Sequence, residues 1–167
     1  MTLQGFELDT PVGRLRGAVG GDALVLLDLP NGSRTRLAEL PPAGAAARRV
    51  RDLLARYFRG DLAALDAVAA EPRGGTAFQR LVWRTLRDIP AGSTWSYAEL
   101  ARRIGSPRAV RAVGAANGAN PVPLVLPCHR VIASDGSLGG YGGGLPAKEW
   151  LLRHEGAPVC KGLRRAS

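Results

Sequence analysis

The chain has 167 residues, of which 46% are hydrophobic and only 5% aromatic, with a formal net charge of +9. That length suits one domain or two small ones, and the apolar content excludes global disorder, with a core built mainly from Ala, Val and Leu. No apolar run approaches the roughly 20 residues of a membrane span, and Met1–Glu7 lacks the basic region and apolar stretch of a secretory signal, so the expected location is the cytoplasm.

The first half opens with strand-like runs. Gly5–Asp9 leads to a turn at Pro11-Val12-Gly13, Arg14–Val19 alternates, and Gly20-Gly21-Asp22 is the next turn. Ala23–Leu29 reads as a buried strand ended by Pro30-Asn31-Gly32. From 43 to 58 apolar residues recur at helical spacing (Ala47, Val50, Leu53, Leu54, Tyr57), and Gly60-Asp61 stops that helix. This predicts a small α/β domain over residues 1–72, an antiparallel sheet with a helix on its face. It holds no catalytic constellation, so its expected role is support.

Glu71-Pro72-Arg73-Gly74-Gly75 marks a boundary. Thr76 then fits an N-cap with Gln79 at the capping-box position, ahead of the stripe Phe78, Leu81, Val82, Leu86 and Ile89. A second helix runs from Ser96 or Tyr97 to Ile104 and stops at Gly105; Ser106-Pro107 carries the cap and first-position signature of a third. Two short helices joined by a Gly-containing turn match a helix-turn-helix. After Pro127 the chain reads strand, turn and Gly-rich loop, then a helix from Pro146 to His154 stopped by Gly156. Residues 73–157 are thus expected to form a mainly α, winged helix-turn-helix-like domain, with 158–167 a basic tail. Residues 1–70 carry a net charge of +1 and residues 71–167 a net +8. The basic half is either a solvated face or a polyanion contact.

The third helix, from Arg108 to Gly118, has only Val110 and Val113 as bulky apolar residues. Small residues permit close helix packing; they also let an outer face enter a minor groove about 6 Å wide. In a helix-turn-helix the groove reading is favoured, with Ala109, Ala112 and Gly114 on the contact face. Arg111 is then the long cationic side chain that fills the gap left by an extruded base.

Pro127-Cys128-His129-Arg130 is the sharpest feature. A reactive cysteine needs a base or a positive environment, because thiolate is the nucleophilic form. Adjacent side chains on a strand point to opposite faces, so His129 reaches Cys128 only through irregular backbone or a bridging water, and the flanking prolines favour irregular backbone. Glu155, at the end of the last helix, is the acid placed to orient His129. A Cys-His pair alone is as readily incidental, the cysteine acting as a small hydrophobe. The six glycines and one tyrosine of residues 136–144 match no phosphate-binding fingerprint; they suggest backbone close to a flat ligand. The two cysteines (128 and 160) and two histidines (129 and 154) give no disulfide framework and no zinc spacing, so no metal is expected.

Together these residues resemble the O6-alkylguanine-DNA alkyltransferase family, the methylated-DNA–protein-cysteine methyltransferases, from about Gly75 to Gly156. The resemblance rests on Phe78-Gln79-x-x-Val82-Trp83, Ile89-Pro90-x-Gly92, Ser96-Tyr97, Ala109-x-Arg111-Ala112-Val113-Gly114 and Asn120-Pro121. It continues through Pro127-Cys128-His129-Arg130-Val131-Ile132, Gly140-Tyr141-x-Gly143-Gly144 and Lys148-x-x-Leu151-Leu152-x-x-Glu155-Gly156. It implies that Cys128 accepts the alkyl group, that His129 deprotonates it through a water, and that Glu155 holds the imidazole. It further implies that Asn120 braces the helix-turn-helix against the active-site segment and that Tyr97 aids base rotation and donates a proton to the leaving guanine. Arg111 would replace the flipped base, Tyr141 would wall the pocket, and backbone at Gly142 or Gly143 would face O6. The carbonyls of Cys128 and Val131 would read the guanine amino group. Arg130 is placed among the DNA contacts, and Asn117 and Lys148 in the pocket. Asn117 stands where an apolar residue is common in animal members, and Gly142 where a serine is common. The expected partner is duplex DNA holding O6-alkylguanine, with O4-alkylthymine a further candidate; the protein is expected to be a monomer and to use no cofactor. The rivals are a lesion-flagging module, which would lack Cys128, and a hydrolase, which would leave the basic helices unexplained.

Overall fold

The computed structural model of the chain describes residues 2–30, 40–41 and 43–159; Cys160 and the basic tail beyond Val159 lie outside the described residues. The fold resolves into two compact units, Met1–Gly74 with Pro121–Val125, and Gly75–Asn120 with Leu126–Ser167.

The first unit is built on an antiparallel sheet of β1 (Leu3–Thr10), β2 (Gly13–Gly20) and β3 (Ala23–Asp28), in that order. The β1–β2 turn is held by Thr10, whose Oγ1 donates to the Gly13 carbonyl (2.6 Å) and accepts from the Val12 N–H (3.2 Å). Phe6 pairs with Gly17 across the sheet, and a Cβ on Gly17 would lie 2.3 Å from the Phe6 ring. Ala23, Leu24, Val25 and Leu27 of β3 are all buried, as its unbroken apolar run requires. Helix α1 (Ala45–Phe58) buries Ala47, Val50, Leu54 and Tyr57, and a 3-10 turn follows over Leu62–Ala67. The chain then returns along β3, with Leu24 N–H donating to Ala69 and Glu71 N–H to the Leu24 carbonyl. Residues 121–125, grouped by sequence with the second domain, join this unit instead: the Leu27 N–H donates to the Pro121 carbonyl at 2.9 Å. Within that segment Leu124 is fully buried at φ 75°, a left-handed conformation that a leucine holds only under the constraint of its surroundings.

In the second unit α2 (Ala77–Leu86) starts with the expected capping box: Gln79 N–H to Thr76 Oγ1 (3.1 Å) and Thr76 N–H to Gln79 Oε1 (2.9 Å). It buries Val82, Trp83 and Leu86, and the Trp83 indole donates to the Ala116 carbonyl at 2.8 Å. A two-residue strand β4 (Trp95–Ser96) pairs in parallel with β5 (Val131–Ile132). Ser96 caps α3 (Tyr97–Arg103) by accepting from the Glu99 N–H. The helix closes with Gly105 at φ 79°, the Ser106 N–H reaching back to the Ala101 carbonyl and the Gly105 N–H to Arg102. That closure corrects one expectation. Ser106 and Pro107 do not start the next helix; they belong to a turn in which the Ala109 N–H donates to Ser106, and α4 spans Val110–Gly118 with no side-chain cap. The strand expected after Pro127 is likewise a 3-10 turn, Cys128–Arg130, ahead of β5. Helix α5 (Leu145–His154) ends with Gly156 at φ 78° and the Ala157 N–H on the Leu152 carbonyl, which makes Glu155 its C-cap. No helix among the described residues is long and apolar enough to cross a membrane.

Candidate active site

The 3-10 turn puts Cys128, His129 and Arg130 in the interior of the second unit, 6%, 0% and 5% exposed. Two asparagines fix the backbone around the sulfur. Asn120, just past α4, donates from Nδ2 to the Leu126 carbonyl at 2.7 Å, and the Cys128 N–H donates to the same carbonyl, also at 2.7 Å. Asn117, in the last turn of α4, donates from Nδ2 to the carbonyl of Cys128 itself at 3.3 Å. Asn117, expected only as a pocket residue, is thus buried and bonded to the Cys128 backbone.

His129 Nε2 lies 3.0 Å from Glu155 Oε2, and its Nδ1 makes no hydrogen bond to the protein. Burial drives the Glu155 carboxyl upward, but hydrogen bonds from His129 and Arg130 outweigh it and hold the group well below the usual carboxylate range. Burial pushes the imidazole in the other direction, below its ordinary value, against the pull of Glu155. At neutral pH the pair is therefore a carboxylate beside a neutral imidazole with Nε2–H facing Glu155, and Nδ1 is the nitrogen left to take a proton.

Arg130 does not face outward. It forks onto Glu155, Nε to Oε1 and Nη2 to Oε2, both at 2.9 Å, and its Nη1 donates to the Ile89 carbonyl at 2.7 Å. The expectation that it contacts DNA is corrected, because all three nitrogens are committed inside the protein. Gly92, at φ 87°, closes the turn after α2 so tightly that a Cβ would sit 3.0 Å from the Glu155 carbonyl.

Lys148, on α5, is fully buried and donates from Nζ to the carbonyls of Val131 (2.6 Å), Leu138 (2.5 Å) and Gly140 (3.1 Å). Burial lowers its pKa from 10.5 to about 8, with the nearby Cys128 acting the other way. The Cys128 and Val131 carbonyls, expected to read an amino group, thus already accept from Asn117 and Lys148. The Val131 N–H also donates to the Cys128 carbonyl, so both lone pairs of that oxygen are already engaged within the protein.

Tyr97, the first residue of α3, is half-buried, and its hydroxyl is raised above its ordinary pKa by burial and by the proximity of Cys128, against a backbone hydrogen bond at Gly140. Gly139, at φ 70°, makes room for it: a Cβ there would lie 3.0 Å from the hydroxyl. Tyr141 is half-buried with its hydroxyl inside, Gly142 is exposed and Gly143 is buried. On α4, Arg111 and Ala112 are exposed, Gly114 is half-buried, and Ala109 sits at the N-cap, also half-buried; Val113 and Ala116 face the interior. One face of the small-residue helix is therefore packed inside the unit, while the opposite face, with Arg111 and Ala112, is exposed. No group of three or more His, Cys, Asp or Glu among the described residues is placed to hold a metal ion.

The geometry gives a buried thiol, a neutral imidazole oriented by a carboxylate, a buried ammonium and a tyrosine hydroxyl in one unit. Residues 77–157 match the family model described as 6-O-methylguanine DNA methyltransferase, DNA binding domain. The chain is 58% identical over 105 residues to a methylated-DNA–protein-cysteine methyltransferase of Salmonella typhimurium, an alignment covering 63% of this chain and 61% of that protein. A protein of the same description from Haemophilus influenzae is 41% identical over 155 residues, covering 89% of this chain and 84% of its own length. Among solved structures, Mycobacterium tuberculosis OGT in complex with DNA superposes with a TM-score of 0.80 at 40% identity, over 93% of this chain and 95% of that one.

Proposed function

The chain belongs to the methylated-DNA–protein-cysteine methyltransferase family, and from that premise we propose that it repairs DNA by moving an alkyl group from O6-alkylguanine onto Cys128. His129 takes the thiol proton at Nδ1, directly or through a water. The thiolate attacks the alkyl carbon; the C–S bond forms as the C–O6 bond breaks, and the electron pair passes to the base. The Tyr97 hydroxyl protonates the leaving guanine and is reprotonated from the imidazolium through solvent. The products are guanine and an S-alkylcysteine. A thioether has no easy hydrolysis route, so each chain acts once. O4-alkylthymine presents the same alkyl–oxygen bond and falls within the same chemistry.

The alkyl carbon is buried in a stacked duplex, so the base must be turned out, at a cost of a few kcal/mol. Helices α3 and α4 act in this reading as a winged helix-turn-helix lying in the minor groove, with Ala109, Ala112 and Gly114 near the backbone and Arg111 in place of the extruded base. Tyr141, Gly142, Gly143, Val131 and Asn117 line the pocket, with Asn117 and Lys148 bracing it, and Asn120 couples α4 to the Cys128 segment. Residues 1–72 support this domain and the tail at 158–167 adds positive charge. The partner is duplex DNA bound by a monomer in the cytoplasm, with salt-dependent affinity.

The observation that carries the proposal is the buried Cys128, followed directly in the chain by a buried His129 whose imidazole is held by the ionised Glu155. Incubation with duplex DNA holding one O6-methylguanine, followed by peptide mass mapping, is expected to give one methyl per chain, on Cys128, and none in Cys128→Ser. Methyl on Cys160, or more than one lesion repaired per chain, refutes it.

A further inference from the structure

Arg130 follows the nucleophile by two positions, yet nothing in the transfer step uses it. We infer that Arg130 is a positioning residue: acting through Glu155, it keeps the His129 imidazole neutral and aimed, ready for the Cys128 proton. The inference rests on the alkyl-transfer reading of Cys128.

The geometry is that of a clamp. Both carboxylate oxygens of Glu155 accept from the guanidinium fork at 2.9 Å, and Oε2 also faces His129 Nε2 at 3.0 Å. The third contact, Nη1 to the Ile89 carbonyl at 2.7 Å, ties the fork to the turn that ends at Gly92, and Gly92 in turn packs on the Glu155 carbonyl. The carboxylate therefore cannot rotate about its side chain, and the plane in which it receives the imidazole N–H is set.

Charge gives the clamp its second effect. A buried imidazole–carboxylate pair alone carries net −1 when the imidazole is neutral and zero when it is protonated. In a low-dielectric interior that difference draws a proton onto the imidazole from solvent. With Arg130 added, the three groups sum to zero when His129 is neutral and to +1 when it is protonated. The extra charge is cancelled only when a negative charge appears beside it, as happens when the Cys128 S–H bond breaks, the N–H bond forms at Nδ1 and the electron pair stays on sulfur. Arg130 thus disfavours protonation from solvent and leaves room for protonation by the thiol. The charged groups acting on His129 among the described residues are Glu155 and Lys148 from α5 and Arg130 from its own turn; the turn after α2 contributes the Ile89 carbonyl. Arg130 and Lys148 both depress the imidazole below its ordinary value, after burial itself, while Glu155 raises it.

The test compares single-turnover transfer from O6-benzylguanine across pH in wild type, Arg130→Met, Arg130→Lys and Arg130→Met/Glu155→Gln. It is joined by 15N NMR titration of wild-type His129, assigned with His154→Gln because these are the only two histidines. In wild type, His129 is expected neutral and Nε2-protonated at pH 7. In Arg130→Met the acid limb of the rate profile is expected to move up by about one pH unit or more, a roughly tenfold loss on that limb. In Arg130→Lys the limb stays and the plateau falls, since charge remains but the fork is lost. In the double variant the limb returns toward wild type, because the lone carboxylate charge is gone. A uniform drop with an unmoved limb in Arg130→Met, or a protonated wild-type His129 at pH 7, overturns the inference. If Arg130→Met does not fold, an upward shift of the limb in Arg130→Lys, or the wild-type titration, decides against it; an unmoved limb with a neutral His129 upholds it. Absence of any adduct on Cys128 refutes the transfer reading instead, and the NMR titration still judges the clamp.

Discussion

Lys148 offers a stability measurement whose sign and size follow from its surroundings. Its ammonium is wholly buried and its pKa is lowered from 10.5 to about 8. The unfolded chain thus holds the Lys148 proton up to about pH 10.4, while the folded chain releases it near 8. Between those values the unfolded state binds more protons, so folding stability rises with pH. About 2.5 units at 1.36 kcal/mol each amounts to about 3 kcal/mol. The comparison is urea unfolding of Lys148→Met against its parent from pH 7 to about 10.5, with Cys128→Ser in both so that the thiol does not titrate. The thiolate favours the ammonium, so removing it enlarges the effect. The parent is expected to gain about 3 kcal/mol on the variant as pH rises across that window. Parallel curves refute the reasoning, because they mean that the ammonium is not desolvated in the folded state.

Three further outcomes are expected. Arg111→Ala slows repair of duplex O6-methylguanine far more than reaction with free O6-benzylguanine; equal losses remove the base-displacing role. Gly139→Ala places a Cβ 3.0 Å from the Tyr97 hydroxyl at a φ of 70°, and urea unfolding is expected to show a loss of about 1–3 kcal/mol, with slower transfer as Tyr97 is displaced. Thr76→Ala removes the capping box of α2 and is expected to cost about 1 kcal/mol in the same assay while leaving the transfer rate per folded molecule unchanged; a large rate loss there means that α2 is coupled to the site.

Much of the fold was legible because its signals are local. The Thr76/Gln79 box, the closing glycines at 105 and 156, and the apolar stripe of α1 each need only a few neighbouring residues to be read. The failures share one cause: a local signal was overridden by a hydrogen-bond partner outside the segment that carries it. Ser106-Pro107 is a sound helix start in isolation, but the α3 closure uses the Ser106 N–H and delays α4 to Val110. Pro121–Val125 is captured by Leu27, nearly a hundred residues away in sequence. Within the site, Cys128, His129 and Glu155 were legible from residue chemistry. Arg130 was not, since charge in a sequence carries no direction, and a buried arginine reads like an exposed one until its acid partner is located. The Asn117 bond to the Cys128 carbonyl gave no signal except a polar residue where an apolar one was expected. Lys148 was singled out without its reason, the three carbonyls that only the folded loop brings together.

Helix α4 carries two sets of residues that never compete for the same space. Val113, Ala116 and Asn117 point inward, where they meet the Trp83 indole and the Cys128 carbonyl, while Arg111, Ala112 and Ala115 are exposed. Variation can therefore be partitioned along one short helix. A library randomised at the exposed positions samples outer surfaces with the Cys128 backbone undisturbed, and one randomised at Val113, Ala116 and Asn117 samples the seating of Cys128 behind a constant outer face. Nine residues thus supply two separately tunable modules, one exposed and one buried.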